Sequence, residues 1–155
     1  MTVQVYFGNT TLNPDTMDCS LSFPVPREVP ATSDPAGIAE AALTELLAGP
    51  MPAEDAEGYT SWFSDATEDD LIGVRVVGDT AYVNLVNHAQ TISNASTSCG
   101  SAIYLSQLGN TVLTAAGVPN VLYAFEGDPA AFWDWLQVGC YEDNDNCDPA
   151  PFKGW

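Results

Sequence analysis

The segment Ser33–Pro50 has the sequence SDPAGIAEAALTELLAGP, and it defines the first helix of the chain. Asp34 can cap a helix whose first position is Pro35, and Gly49–Pro50 supplies a stop signal. Between these signals apolar side chains recur four residues apart, so one face of the helix is predicted to be buried. The two apolar rows are Ile38, Ala42, Leu46 and Ala39, Leu43, Leu47.

Strands are predicted on both sides of this helix. An alternating run at Val3–Phe7 precedes it, followed by Leu21–Val29, whose two prolines favour an edge strand because proline cannot donate to a ladder. After the helix, two β-rich runs flank the turn Gly78–Asp79. They predict a hairpin of residues 72–77 and 81–86.

The remaining elements are a long helix, a strand and a short helix. Ser98 can cap a helix over about residues 99–116, which Gly117 ends. Val121–Phe125 is the last predicted strand, and a short tryptophan-rich helix covers residues 130–138. The acidic segment between the first helix and the hairpin, Met51–Asp70, is predicted to be a long surface loop.

This order predicts an α+β fold. We expect a single-layer mixed or antiparallel sheet with the two main helices packed on one face, plus the short C-terminal helix. Residues 1–127 would form this domain, and residues 128–155 would pack on it as a helix and an acidic tail.

The cysteines favour disulfides over a metal site. Cys19, Cys99, Cys140 and Cys147 form no CxxC pair, and the chain has one histidine, so zinc has few ligands. Among three possible pairings, the chain path favours Cys19 with Cys99 and Cys140 with Cys147. Disulfides indicate an extracytoplasmic location, and we expect a mature domain whose export signal or anchor has been removed.

The charge balance excludes several partners. The 155 residues include 21 acidic and 3 basic side chains, a formal charge of −18, which opposes binding to nucleic acid and to anionic membranes. Only 15% of residues are charged, against about 25% in typical domains, so the imbalance reflects missing lysine and arginine. The acidic surface would steer basic partners.

The longest uncharged stretch predicts an interface. No charged residue occurs from Thr80 to Phe125, and charge depletion marks the cores of protein interfaces. We expect one exposed face of the second helix to bind a partner, with Tyr59 and Trp62 of the loop contributing. That face consists of Ser101, Tyr104, Gln107, Asn110, Thr111 and Thr114. The competing interpretation is an ordinary neutral surface.

Catalytic chemistry has weaker support. A nucleophilic site would need His88, yet no Gly-x-Ser-x-Gly elbow is present, and a hydrogen-bonded or solvated strand-end histidine is the favoured interpretation. The acidic groups Glu54-Asp55-Glu57 and Glu68-Asp69-Asp70 could supply paired carboxylates for glycan hydrolysis, but adjacent acids in a loop are ordinarily solvated. No catalytic residue is therefore assigned.

Two features near the C-terminus have alternative interpretations. Asp143, Asp145 and Asp148 alternate like the start of a calcium loop, although the glycine and distal glutamate of an EF-hand are missing. The aromatic residues near Trp135 and Trp155 could form a platform for sugar rings, or they could be core residues. We favour core packing, with Phe132, Trp133 and Leu136 on the sheet and Trp135 on the other side.

Several segments together resemble the GerMN domain, which is named for the sporulation and spore-germination lipoprotein GerM and occurs in bacterial envelope lipoproteins. They are Val5–Phe7, Pro26–Val29, Ala41–Pro50, Val74–Leu85, Gln107–Leu113, Val121–Phe125 and Gly127. The resemblance implies a fold similar to ring-building motifs, a location in the cell envelope and no known catalytic activity.

These observations favour a non-enzymatic, extracytoplasmic binding or assembly module of the bacterial cell envelope. Its partner would be an envelope protein or a wall polymer, with no cofactor, no nucleic acid and membrane contact only through the removed anchor. Self-association is left open. The alternatives are a small carboxylate-based glycan hydrolase and a Ca²⁺-dependent binding module.

Overall fold

The structure is a computed structural model that describes residues 1–93 and 95–155. Asn94, which belongs to the uncharged stretch, lies outside the described residues. The strands are β1 Thr2–Asn9, β2 Phe23–Glu28, β3 Tyr59–Thr60, β4 Leu71–Val77, β5 Thr80–Leu85 and β6 Asn120–Phe125. The helices are α1 Pro35–Leu47, α2 Pro52–Ala56, α3 Ser98–Ala116 and α4 Pro129–Trp135.

The fold is of the α+β class, as predicted, but its strands form two sheets. One sheet has the order β2-β1-β3 and the other β4-β5-β6. β1 is antiparallel to both neighbours, whereas β5 is antiparallel to β4 and parallel to β6. The prediction of a single sheet is wrong because β2 and β3 occupy both edges of β1, and the prolines of β2 remove donors that a further strand would need.

The two long helices connect these sheets. α1 packs against α3, and both contact β1; α1 also contacts β4, and α3 also contacts β5 and β6. Their side chains share one hydrophobic core with both sheets, in which Phe7, Leu43, Leu108 and Val83 are buried. The two main helices therefore pack against strands of two sheets, where the sequence predicted one sheet.

α1 forms as its flanking signals predict. The Asp34 carboxylate accepts a hydrogen bond from Gly37 N at 3.1 Å, and Pro35 is the first helical residue. Past the end of the helix, Gly49 has φ +82°, and a Cβ there would lie 2.3 Å from the carbonyl oxygen of Phe63. Glycine is therefore required both for the turn and for the close passage of the following segment.

Other boundaries differ from the prediction. The capping residue of α3 is Thr97 and not Ser98, because Thr97 Oγ1 accepts from Gly100 N at 2.8 Å. The predicted loop Met51–Asp70 contains α2 and β3. α2 begins at a proline, and Glu54 Oε1 accepts from Met51 N at 2.8 Å, a local capping bond that the acid-rich composition concealed.

A buried arginine joins β2 to α1 and α2. Arg27 is 5% exposed and lies 2.8 Å from Glu45, and its guanidinium makes two hydrogen bonds to Glu54. Burial alone would lower the pKa of Arg27, but the hydrogen bonds and charges of Glu54 and Glu45 outweigh it and raise the pKa. The arginine therefore stays charged and fixes the start of the segment that leads to β3.

Disulfides join Cys19 to Cys99 and Cys140 to Cys147, the pairing that the chain path favours. They are consistent with a protein that folds outside a reducing compartment. In the part of the chain that the structure describes, no helix combines the length and apolar character needed to cross a membrane.

Candidate binding cleft

A concave cleft opens beside the C-terminal end of β1. Its floor includes Gly8, one wall is the segment Thr60–Trp62 that begins in β3, and α3 contributes Ile103 and Gln107. The cleft has a volume of about 160 Å³. Two residues predicted to bind a partner, Trp62 and Gln107, therefore meet at one place although they are far apart in sequence.

The outer wall of the cleft is a folded loop that follows β1. Asn9 is 5% exposed, and its Oδ1 accepts from Thr11 N at 2.8 Å and from Leu12 N at 3.0 Å. Asn13 then makes two hydrogen bonds with the backbone of Asp18. These bonds within the loop hold Thr16, which has φ +50° and lines the cleft. Asparagine turns are suited to such loops because the short amide replaces backbone partners.

A disulfide fastens this wall to α3. Cys19 lies two residues before Leu21, which lines the cleft, and Cys99 lies one helical turn before Ile103 on the opposite side. The cross-link therefore connects both walls and restricts how far they can separate.

The lining of the cleft is uncharged. Among the described residues that surround it, each polar side chain is a hydroxyl, an amide or an indole. This neutrality contrasts with the chain's formal charge of −18. An ionic ligand would find no countercharge in the cleft, so the lining suits a neutral ligand with hydroxyl or carbonyl groups.

Gln107 is held in one orientation by the opposite wall. Phe63 N donates to Ser61 Oγ at 3.1 Å, and Ser61 Oγ donates to Gln107 Oε1 at 2.7 Å. Gln107 is 3% exposed. Throughout the described chain its Nε2 makes no hydrogen bond to a protein acceptor, and a Cβ added on Gly8 would lie 3.9 Å from it. The cleft therefore contains a nearly buried donor without a protein partner.

Most of the predicted binding face of α3 points inward. Tyr104, Gln107 and Thr111 are buried, Ser101 and Asn110 are half-buried, and only Thr114 is exposed. The prediction of an exposed face is wrong. The side chains of α3 are uncharged on every side of the helix, so the periodicity of polar and apolar residues does not define which side is buried. Contacts with α1 and β1 define it instead.

The buried polar residues of α3 have internal partners. Thr111 Oγ1 accepts from Tyr6 N at 3.1 Å, and Asn110 donates to Ser22 Oγ at 2.8 Å. Both predicted loop residues, Tyr59 and Trp62, pack against the core, and Trp62 also lines the cleft. Gln107 and Trp62 are thus the predicted residues that the structure places at the cleft.

His88 belongs to a buried hydrogen-bonded chain, in agreement with the favoured interpretation of a structural histidine. It is 2% exposed, its Nδ1 lies 3.0 Å from Asp70 Oδ2, and its Nε2 lies 2.7 Å from the Tyr104 hydroxyl. Burial lowers the pKa of His88 more than the hydrogen bond and charge of Asp70 raise it. Burial also raises the pKa of Tyr104 well above its usual value. This hydrogen-bonded chain lies in the core, and its residues are absent from the lining of the cleft described above.

The two acidic groups at residues 54–57 and 68–70 were predicted to be solvated, and this is wrong for two of their carboxylates. Glu54 pairs with Arg27, and Asp70 pairs with His88. Both acids compensate buried partners that composition alone does not reveal. The other acids of the two groups, Asp55, Glu57, Glu68 and Asp69, are exposed.

The carboxylates of the tail bind their own backbone. Asp143 Oδ1 accepts from Asp145 N at 3.0 Å, and Asp148 Oδ1 accepts from Ala150 N at 3.0 Å. Asn146 is buried and bonds to Gly139 O and Tyr141 N. Over residues 1–93 and 95–155, no group of three or more histidine, cysteine, aspartate or glutamate residues is arranged to hold a metal ion.

The tryptophan-rich helix packs into the core. Phe132, Trp133 and Leu136 are buried, as favoured. Trp135 was predicted to lie on the other side of the helix, away from the core, and this prediction is wrong. Its ring centroid is 5.1 Å from that of Tyr104 and 5.7 Å from that of His88. Both indoles join the aromatic cluster beside β6, with Trp133 against Tyr123 and Trp135 against Phe125.

The sequence missed the outer wall and the role of Ser61. Gly8–Asn9 was noted only as the end of a strand, and Ser61 lies 46 residues from Gln107. The cluster of Asn and Thr residues at 9–16 is the signal that could have indicated a structured loop.

The chain was compared with known protein families, curated proteins and solved structures. The family model Germane, described as sporulation and spore germination, matches residues 4–131, which confirms the resemblance noted from the sequence. No curated protein and no solved structure matches the chain.

Proposed function

The chain belongs to the Germane family of sporulation and spore germination domains, and we propose that it is a non-catalytic binding module of the bacterial cell envelope that holds its partner in the uncharged cleft. The proposal assigns recognition to Trp62, Gln107 and the hydroxyl groups around them. The disulfides support an extracytoplasmic site of action.

The observation that carries the proposal is the free Nε2 of Gln107 at a neutral cleft. Gln107 Nε2 has no protein acceptor and is open to the cleft, so solvent can accept from it in the free protein and a ligand oxygen can take that place. Ser61 and Phe63 maintain this arrangement. A structural role alone would not need the amide nitrogen to face the cleft.

The acidic surface would act on the approach of the partner. Outside the cleft, the excess of carboxylates creates a negative potential with a range of about 8–10 Å at physiological ionic strength. A partner with basic residues around its neutral contact region would associate faster at low salt. The neutral lining would then determine how long the complex persists.

Blocking the cleft tests the proposal. In Gly8→Val the new Cβ would lie 3.1 Å from Thr60 Oγ1 and 3.9 Å from Gln107 Nε2, two residues that line the cleft. We expect Gly8→Val to reduce retention on a purified envelope fraction by about tenfold in a sedimentation assay. Thr91→Val, at an exposed position outside the cleft lining, is the control. Equal retention of the wild type and folded Gly8→Val would refute the proposal.

A glycan hydrolase is the competing class. Asp55 and Asp65 line a depression that shares Thr60 and Ser61 with the cleft. Both carboxylates are exposed, whereas the general acid of a glycosidase is held in apolar surroundings that keep it protonated. We therefore favour binding. Release of reducing sugar from wall glycan by the wild type, abolished in Asp65→Asn, would favour hydrolysis instead.

A further inference from the structure

We infer that the uncharged cleft binds one ring of a neutral N-acetylated sugar, whose acetamido carbonyl oxygen accepts a hydrogen bond from Gln107 Nε2. This inference rests on the proposed function, because it names the ligand class of the same cleft. Trp62 would provide the flat apolar surface beside the ring.

The donor defines one end of the ligand. Ser61 Oγ is committed to Gln107 Oε1, so the amide cannot rotate to present its oxygen without losing that bond. The ligand atom next to Gln107 must therefore be an acceptor. An amide carbonyl is a strong acceptor without charge, whereas a carboxylate would approach a chain with a formal charge of −18.

The size of the cleft corresponds to a single ring. Its volume is about 160 Å³, and a cavity of about 150 Å³ holds one benzene-sized ring, so a pyranose ring would enter the cleft with part of its substituents outside it. The half-buried indole of Trp62 lines the same space. Aromatic rings and neutral hydrogen-bonding groups together recognise a pyranose, which has an apolar face and a polar edge.

A peptide ligand fits less well. Peptides that bind in extended form pair their backbone with a free strand edge several residues long. The strand at the cleft is β3, which has two residues, and the other edge of β1 is covered by β2. The unpaired donor that the cleft offers is a side-chain amide.

Calorimetric titration with a soluble chitin-type oligosaccharide of N-acetylglucosamine tests this inference. We expect saturable binding by the wild type, and binding weaker by about tenfold or more for Gln107→Glu, which replaces the donor by an acceptor. Gln90→Glu makes the same change at an exposed position and should bind like the wild type. A cellulose-type oligosaccharide, which lacks the acetamido group, should also bind about tenfold more weakly.

A second variant keeps the test valid if Gln107→Glu does not fold. Gly8→Ala places one methyl group 3.1 Å from Thr60 Oγ1, a side chain at the surface that can move, and 3.9 Å from Gln107 Nε2. It should weaken binding of the chitin-type oligosaccharide by a fewfold while the fold is retained.

The outcomes separate the two proposals. Equal binding of the two oligosaccharides, or wild-type affinity in folded Gln107→Glu, would overturn the sugar assignment. Binding of a capped neutral alanine–glycine peptide, with no binding of either sugar, would also overturn the sugar assignment. If Gly8→Val abolished that peptide binding, the cleft would still be a binding site. If the wild type binds neither probe and Gly8→Val keeps full envelope retention, both proposals fail.

Discussion

Ser61 Oγ donates a hydrogen bond of 2.7 Å to Oε1 of Gln107, a residue 46 positions later in the chain. Because Ser61 Oγ also accepts from the backbone N–H of Phe63, its own proton is directed to Gln107. The loop thereby orients an amide on α3 and leaves the nitrogen facing the cleft.

Removal of this hydroxyl should destabilise the protein and release the amide. In Ser61→Ala, Gln107 Oε1 and Phe63 N both lose a partner, so we expect the free energy of unfolding to fall by about 1–2 kcal/mol. Urea denaturation measures the loss, and the side-chain amide signal of Gln107 in NMR spectra should move. Ser93→Ala, at an exposed position, should change stability by less than about 0.5 kcal/mol; equal losses would argue against the proposed network.

The chain offers a matched pair of arginines for testing the buried ion pairs. Arg27→Met leaves Glu45 and Glu54 without their buried partner and should lower the free energy of unfolding by about 3–5 kcal/mol. Arg75 lies 4.4 Å from the centre of the Trp155 ring, and it donates to the carbonyls of Lys153 and Gly154.

The same substitution at Arg75 should cost only about 1 kcal/mol, because this arginine is partly solvated and its partners are uncharged. Urea denaturation of both variants makes the comparison. If Arg75→Met were as destabilising as Arg27→Met, the assignment of a special role to the buried arginine would be wrong.

Stability should fall as the medium becomes mildly acidic. Burial lowers the pKa of His88 in the folded protein, so between that value and the ordinary pKa of about 6.5 the unfolded chain binds the proton more readily. The contribution of neutral His88 to the free energy of unfolding is complete above about pH 6.5. Below that pH it decreases by at most about 1.4 kcal/mol per pH unit.

His88 is the only histidine in the chain, and the part of the slope that disappears when it is replaced can be assigned to it. Urea denaturation at about pH 7.5, 6.5 and 5.5 measures it. In His88→Gln the free energy of unfolding should be flatter over the same range. A slope that persists unchanged in this variant would exclude His88 as its source.

The two disulfides should contribute unequally. Cys19 and Cys99 are separated by 80 residues and Cys140 and Cys147 by 7. By loop entropy, replacing the first pair with serine should cost about 4–5 kcal/mol and the second about 2–3 kcal/mol. Removal of Cys19–Cys99 should also weaken binding in the cleft, whereas removal of Cys140–Cys147 should not. The reverse order of effects would contradict the assigned role of the first disulfide in the cleft.

Local signals in the sequence predicted much of the fold. Asp34, Pro35 and Gly49 mark α1 because capping and backbone geometry depend on neighbouring residues. The prolines of β2 likewise identified an edge strand, which the structure confirms. The division into two sheets was missed because it depends on β3, a strand of two residues that pairs with distant Gly8 and Asn9.

The site was predicted only in part for a similar reason. The absence of charge in α3 drew attention to Gln107, and the aromatic residues of the preceding loop drew attention to Trp62; both line the cleft. The orientation of α3 was missed because an uncharged helix carries no pattern that defines which face is buried. The partners of Gln107 and His88 are Ser61 and Asp70, which were assigned to a surface loop. Such long-range pairs follow from tertiary packing and leave no periodic signal.

The uncharged cleft is the proposed binding site on which every other functional assignment rests. Its most direct test is an NMR titration of isotope-labelled protein with soluble glycan fragments released from cell wall, following the Gln107 side-chain amide and the Trp62 indole. The account predicts saturable shifts of both signals, with the exposed Gln90 amide and the Trp155 indole unchanged. Unchanged Gln107 and Trp62 signals, with shifts confined to the acidic tail, would contradict it.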